Sequence, residues 1–226
     1  MPAPISVVIP TLNSASELPG CLEALMEGLS AGLIRELIVT DGGSEDQSCA
    51  MADGAGAVVV RGAPSRGGQL KRGCDAARGE WLLILHADTC LSPGWSEVVE
   101  AHFDTGQGRP AYFHLAFRAA GTGAALVAGW ANLRSRLFGL PYGDQGLLIR
   151  RSDYKAAGGY PDQPLMEDVA LVRRLKGLVA LPAMARTSAE RYQRQGWLRR
   201  GAANLWTLAR YACGTSPETL VKAYRK

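Results

Sequence analysis

The chain has 226 residues, of which 47% are hydrophobic and 20% charged, with a formal net charge of +4. That balance excludes intrinsic disorder and supports a core of domain size. No apolar run approaches the ~20 residues that a membrane-spanning helix needs.

ISVVIP (5–10) reads as a buried strand closed by Pro10. SASELPGCLEALMEGL (14–29) follows as a helix, with Ser14 and Glu17 in capping-box spacing and Leu18, Leu22, Leu25, Met26 and Leu29 along one side. LIRELIVT (33–40) holds the second strand, and DGGSEDQSCAMADG (41–54) turns sharply into a short helix that Ser44 is placed to cap. AVVV (57–60) is a third strand, RGGQLKRGCDAARG (66–79) a loop leading into a helix, and WLLILH (81–86) a fourth strand.

Beyond residue 92 the pattern loosens. PGWSEVVEAHF (93–103) is a helix opened by Pro93, AYFHLAF (111–117) alternates as a strand, and AALVAGWANLRSRLFG (124–139) is helical. YGDQGLLIRR (142–151) reads as a strand with a polar front end. LMEDVALVRRLKG (165–177) sets Leu165, Val169, Leu171, Val172 and Leu175 at helical spacing, and WLRRGAANLWTLARYACG (197–214) and SPETLVKAYRK (216–226) are two terminal helices.

Strands alternating with helices at this spacing imply right-handed crossovers and an α/β fold with a mostly parallel central sheet and helices on both faces. Ligands gather beyond the carboxyl ends of such strands. Thr11, Asn13, Asp41, Gly42, Arg61 and Asp88 all follow the first four strands, which points to one shared cleft. LILHADTC (83–90) is the sharpest case, because a greasy run ends by setting His86 and Asp88 almost side by side.

Five scattered cysteines, with no CxxC spacing, read as reduced thiols and not as a disulfide framework or zinc site. The opening MPAPISVVIP has no basic segment ahead of its short apolar stretch, so no signal peptide is expected and the protein is expected in the cytoplasm. Arginine gathers in RRLK (173–176) and RYQRQGWLRR (191–200), which suits a phosphorylated ligand or an anionic membrane. No nucleic-acid motif accompanies it, so nucleic acid is not expected as a partner.

VVIPTLN, IVTDGGSED, LILHADT and MEDVAL stand in the order and approximate spacing of glycosyltransferase family 2, which the chain resembles over roughly residues 4–180. It is most similar to a compact bacterial subgroup with HADT in place of DAD and with YGDQG ahead of MED. The resemblance implies a GT-A fold and a nucleotide-diphosphate sugar as donor, UDP- or GDP-linked. One domain over 1–226 is expected: a nucleotide-binding half (1–92), an acceptor-side half (93–190) and C-terminal helices (191–226).

Such a reaction poses three chemical problems: holding a nucleotide, neutralising a leaving diphosphate, and taking a proton from the attacking hydroxyl. For the first, the resemblance implies base recognition by Asp41 beside the turn at Gly42, with Pro10, Thr11 and Asn13 lining the same pocket; a turn aspartate bonded to its own backbone is the alternative. For the second, a divalent cation needs hard oxygen ligands, so Mn2+ or Mg2+ is expected on Asp88, flanked by Ala87. His86 stands where the family has an aspartate. It either ligates a softer ion such as Mn2+, hydrogen-bonds the ribose or Asp88, or is a strand-end histidine satisfied by a backbone carbonyl. Arg66, Lys71 and Arg72 surround the Gly67–Gly68 pair, which would let backbone approach a phosphate. Arg191 and Arg194 are further candidates to reach the leaving group.

For the third, Glu167 and Asp168 open a helix whose dipole favours anions. By resemblance Asp168 is the base, Glu167 orients the acceptor or its neighbour, and Asp144 and Gln145 form an acceptor-side strand end. A base opposite the leaving group implies single displacement with inversion. The other functional class that fits is a nucleotide-binding regulator or inactive relative, since His86 replaces an acid. A sugar nucleotidyltransferase fits poorly because PTLNSASE follows strand one where a glycine-rich basic loop belongs. In the C-terminal helix, Trp197 and Trp206 lie among Arg199, Arg200 and Arg210. They either close the domain or rest on a membrane, at its inner face, near a lipid-linked hydroxyl acceptor. The first of these readings leads.

Overall fold

The protein is seen in a computed structural model that describes residues 3–105 and 108–224. The ends of the expected domain span, residues 1–2 and 225–226, lie outside the described residues, as do the last two positions of the expected terminal helix. In the first half, β1 (Ile5–Thr11), α1 (Leu18–Ser30), β2 (Ile34–Asp41), α2 (Ser48–Gly54), β3 (Val58–Arg61), α3 (Arg66–Ala76) and β4 (Trp81–Ile84) alternate. These strands pair in parallel in the order β3-β2-β1-β4. Val7, Val8 and Ile9 are all fully buried, as a strand covered on both faces requires.

The second half runs through β5 (Cys90–Leu91), α4 (Trp95–Asp104), β6 (Ala111–Phe117), α5 (Thr122–Phe138), a 3-10 turn (Gly143–Gln145), β7 (Leu147–Arg150), α6 (Arg151–Ala156), α7 (Glu167–Val172), β8 (Val179–Thr187), α8 (Glu190–Gln195), α9 (Trp197–Ala212) and α10 (Pro217–Tyr224). It extends the sheet to β3-β2-β1-β4-β7-β6-β8-β5. β7 is antiparallel to both β4 and β6, and β5 is antiparallel to β8. All other strands therefore run one way, and the expectation of a mostly parallel sheet holds.

Helices pack on both faces. Ile5, Val7 and Ile9 share one buried cluster with Leu18, Leu25 and Trp95, while Val8, Leu82 and Ile84 share another with Leu70, Tyr154 and Leu171. Register aligns the strand ends: Thr11 pairs with Asp41, and Asp41 with Arg61. Because β7 runs antiparallel, with Leu147 opposite Ile84, the turn preceding β7 lies at the carboxyl end of β4. That single reversal brings Gly143 and Asp144 to the same rim as His86 and Asp88.

Some boundaries differ from the sequence expectation. α1 begins at Leu18, not Ser14, and the capping box is absent: the Ser14 carbonyl accepts the Glu17 and Leu18 amides, while the Glu17 carboxylate pairs with Arg118. Ser44 does not cap α2; its hydroxyl accepts from the Asn13 amide at 2.9 Å. YGDQG folds as a 3-10 turn before a strand of four residues. β8 escaped the sequence reading because Pro182 interrupts it, at the point where the β6–β8 register slips between Phe113 and His114.

Candidate active site

A cleft of about 510 Å³ opens at the carboxyl ends of the parallel strands. Its floor comes from Pro10 and Thr11 at the end of β1, Asn13 just after it, and His86, Ala87 and Asp88 after β4. Gly143 and Asp144 of the 3-10 turn, with Glu167 and Asp168 of α7, face them. Arg66, at the start of α3, and Arg191, on α8, supply positive charge.

Among the described residues two non-glycines have left-handed backbone, Asn13 at φ 52° and Met166 at φ 62°, and both line this cleft. Such conformations persist where surrounding bonds over-determine them. Around Asn13 those bonds are explicit: its amide donates to Ser44 Oγ and its Oδ1 accepts from the Glu45 amide, each at 2.9 Å. Met166 immediately precedes α7 and so sets how Glu167 and Asp168 enter the cleft.

The acidic wall has defined partners. Asp168 Oδ2 accepts from the Gly143 amide at 2.7 Å, and its Oδ1 from the Val169 amide at 2.7 Å, which fixes the carboxylate. Glu167 is buried, with Oε1 3.3 Å from Arg66 Nε. Among the described residues Glu167 Oε2 and Asp144 Oδ1 are buried without a hydrogen-bond partner. Burial raises Glu167 to about 7; Arg66 opposes this but is itself 42% exposed and screened by solvent, and the neighbouring Asp168 charge adds to the rise. Burial likewise raises Asp144 to about 6, with Arg134 lowering it and Asp168 and Asp88 raising it.

His86 faces basic groups. Arg66 Nη2 lies 3.2 Å from its Nε2, and burial followed by the Arg66 charge lowers its pKa to about 3. Gly143 closes over the ring: a Cβ there would sit 2.5 Å from His86 Nε2, so the close approach requires glycine.

Several other expected site residues lie off the cleft lining. Asp41 is 2% exposed; its Oδ2 accepts the Gly43 and Ser44 amides at 2.8 and 3.0 Å, and Thr11 Oγ1 lies 3.4 Å from its Oδ1. Burial works to raise its pKa, but the Ser44 hydroxyl and these amides outweigh it and hold the carboxyl below its ordinary value. Gly42 abuts the Gln69 amide, and Gly67 is pressed against the Pro161 carbonyl, each by close approach. Lys71 points to solvent and pairs with Asp75 at 2.7 Å. Gln145 is fully buried, with Oε1 accepting from Ser135 and Nε2 donating to the Phe113 carbonyl, so it pins the turn to β6 and α5 and does not face the cleft.

Gln69 was not anticipated. It lines the cleft and donates to the Thr11 and Thr40 carbonyls at 2.7 and 2.9 Å, tying the ends of β1 and β2 together. Glu17, Arg200 and Asn204 also line the cleft, a position that their local sequence patterns do not reveal. A second cavity of about 620 Å³ adjoins the first, with Arg66, Arg191, Arg194 and Arg200 in its walls.

Among the described residues no three His, Cys, Asp or Glu side chains cluster as a protein-only metal site. Asp88 and the partnerless Asp144 Oδ1 nevertheless line one cleft as hard oxygen donors. That set fits a cation of the Mg2+ or Mn2+ kind, which commonly takes only one or two protein carboxylates and fills its other positions with phosphate and water.

Residues 6–109 match the family model for glycosyl transferase family 2. The match runs from Ser6 in β1 through α4 and includes the HADT stretch. The chain is 36% identical over 99 residues to a PGL/p-HBAD biosynthesis glycosyltransferase of Mycobacterium bovis, covering 40% of this chain and 38% of that protein. It is 30% identical over 98 residues to an uncharacterized glycosyltransferase of Haemophilus influenzae, covering 42% of this chain and 33% of that protein. The matched stretch is therefore well under half of those relatives' length.

The fold is similar to S. aureus TarS 1-349, with a TM-score of 0.63 at 13% identity, covering 91% of this chain and 64% of that one. It is also similar to glucosyl-3-phosphoglycerate synthase from Mycobacterium tuberculosis, solved with Mn2+, UDP and phosphoglyceric acid. There the TM-score is 0.59 at 23% identity, over 89% of this chain and 77% of that one. The α/β architecture matches the fold of GT-A glycosyltransferases.

Proposed function

We propose that this chain is an inverting glycosyltransferase that moves a sugar from a nucleotide-diphosphate sugar, UDP- or GDP-linked, to a hydroxyl acceptor in a single displacement. The observation that carries the reading is the opposition of charges in one cleft, with Asp88, Asp144, Glu167 and Asp168 facing Arg66 and Arg191. The Mn2+ and UDP present with one fold neighbour, and the UDP-GlcNAc present with another, support a cation and a sugar nucleotide here as well.

In this reading Asp88 and Asp144 hold the Mn2+ or Mg2+, which when bound neutralises charge on the leaving diphosphate. Thr11, Asn13 and the loop that Asp41 braces receive the nucleotide, and Arg66 draws on its anionic groups. Asp168 takes the proton from the acceptor hydroxyl as that oxygen bonds to the anomeric carbon. The bond from that carbon to the diphosphate breaks on the opposite face, and the nucleoside diphosphate leaves. Glu167 holds Arg66 in place. His86, engaged by Arg66 through Nε2, serves as its neutral hydrogen-bond acceptor and not as a metal ligand.

His86, standing where the resemblance implies an aspartate, favours one other reading, a nucleotide-binding regulator. Proton NMR of the product anomer, together with release of nucleoside diphosphate with and without Mn2+, tests both. Inverted product and metal-stimulated release are expected. Retention removes the proposed base, and nucleotide binding without any release, whatever the acceptor, selects the regulator.

A further inference from the structure

The outer surface of two neighbouring helices does not behave like a solvated face. On α5, Leu126, Trp130, Leu133 and Leu137 recur at i, i+4, i+7 and i+11, and all are exposed, by between 42% and 64%. Phe138 at the helix end is 65% exposed. On α9, Leu198 is 77% and Trp206 67% exposed, with Leu205 and the exposed Ala202 and Ala209 between and beside them. The other tryptophan of α9, Trp197, turns inward and stacks on Tyr192 at 5.2 Å. The helices meet through Gly123 and Val127 of α5 and Trp197 and Gly201 of α9.

Charge on these helices has one sign. Together they carry Arg134, Arg136, Arg199, Arg200 and Arg210, and no aspartate or glutamate. Arg134 and Arg200 are buried, whereas Arg136 and Arg199 are exposed and Arg210 is half-buried. Arg199, Trp206 and Arg210 stand at i, i+7 and i+11, so cations flank the exposed indole on one stripe.

From this surface we infer that α5 and α9 form a peripheral docking face for an anionic lipid bilayer. Apolar side chains with tryptophan on an outward face and arginines at its border are the features of a helix lying in a membrane interface. Among the described residues no helix is long and apolar enough to cross a membrane. A second copy of the chain is the weaker occupant, because a two-fold contact sets a surface against itself and would bring arginine to arginine with no acid to offset them. α9 also lends Arg200 and Asn204 to the cleft wall, so docking through it holds the cleft beside the bilayer.

Co-sedimentation with vesicles tests this independently of sugar transfer. The protein is offered phosphatidylcholine alone and phosphatidylcholine mixed with phosphatidylglycerol, at low and high salt. Binding is expected on the mixed vesicles only, stronger by about fivefold for each exposed arginine and weakened by salt. The combined variant Leu126→Ser, Trp130→Ser, Trp206→Ser should lose binding while keeping its circular dichroism and its affinity for nucleotide, since these side chains lie outside the cleft. No binding of the unaltered protein to mixed vesicles overturns the inference, as does a folded variant that still binds. So does a concentration-dependent dimer that the same substitutions dissociate, without vesicle binding.

Discussion

Arg66 Nη2 stands 3.2 Å from Nε2 of His86. A guanidinium has only donors, so Nε2 must accept and the imidazole proton must lie on Nδ1. Burial and the Arg66 charge push the His86 pKa down to about 3, which keeps the ring neutral near pH 7. A neutral histidine thus gives Arg66 a partner without cancelling its charge. That charge remains available to Glu167, 3.3 Å away, and in the proposed reaction it would meet an incoming phosphate.

Replacing Asp88 with Asn removes a charged oxygen donor while preserving shape. Turnover should fall by at least about a hundredfold, as expected when a charge-stabilising group is lost. Steady-state kinetics over a Mn2+ titration, with the thermal midpoint measured alongside, checks this. An unchanged kcat/KM would remove the cation from Asp88.

Asp168→Asn keeps a side chain able to accept the Gly143 amide but unable to take a proton. The expected outcome is a fall in kcat of about a hundred- to ten-thousand-fold, with donor affinity by calorimetry nearly unchanged. Loss of affinity with kcat preserved would instead make Asp168 a binding residue.

Gly143→Ala places a methyl group 2.5 Å from His86 Nε2. Overpacking of this kind costs about 1–3 kcal/mol, and here it also pushes the ring against Arg66. Urea unfolding should show the loss, and weaker donor binding should accompany it. A variant as stable as the parent would show that the 3-10 turn yields easily.

Glu167 also leaves a signature in stability against pH. Its folded pKa is raised to about 7 from 4.5, so its contribution is fully present below pH 4.5 and is lost as pH rises through 7. The stability of the protein minus that of Glu167→Gln should therefore decline between pH 4.5 and 7 and level off above. Comparing the two proteins removes the opposing trend of His86, whose lowered pKa weakens folding as pH falls below 6.5. Urea midpoints at several pH values measure it, and a flat difference would contradict the raised pKa.

The nucleotide half was legible because its signals are local. Ile5–Pro10 and Trp81–His86 read as strands from their own composition, with Thr11 directly after the first and His86 and Asp88 at the end of the second. The second half was legible only in pieces. Pro182 hid β8, whose register slip absorbs it, and Gln69 carries no local signal, because its role lies in an amide that joins two strand ends.

Residue order by itself determined that strands alternate with helices, and hence that an acid after β4 and polar groups after β1 share an edge, since parallel strands end together. It did not determine which face each polar side chain takes. Gln145 and Asp144 are neighbours, yet one is locked inward by Ser135 and Phe113 while the other opens on the cleft. That choice follows from the antiparallel insertion of β7 and the 3-10 turn before it, which depend on contacts between residues far apart in the chain. The outward tryptophans of α5 and α9 were decided the same way, by which helix faces the sheet had room to bury.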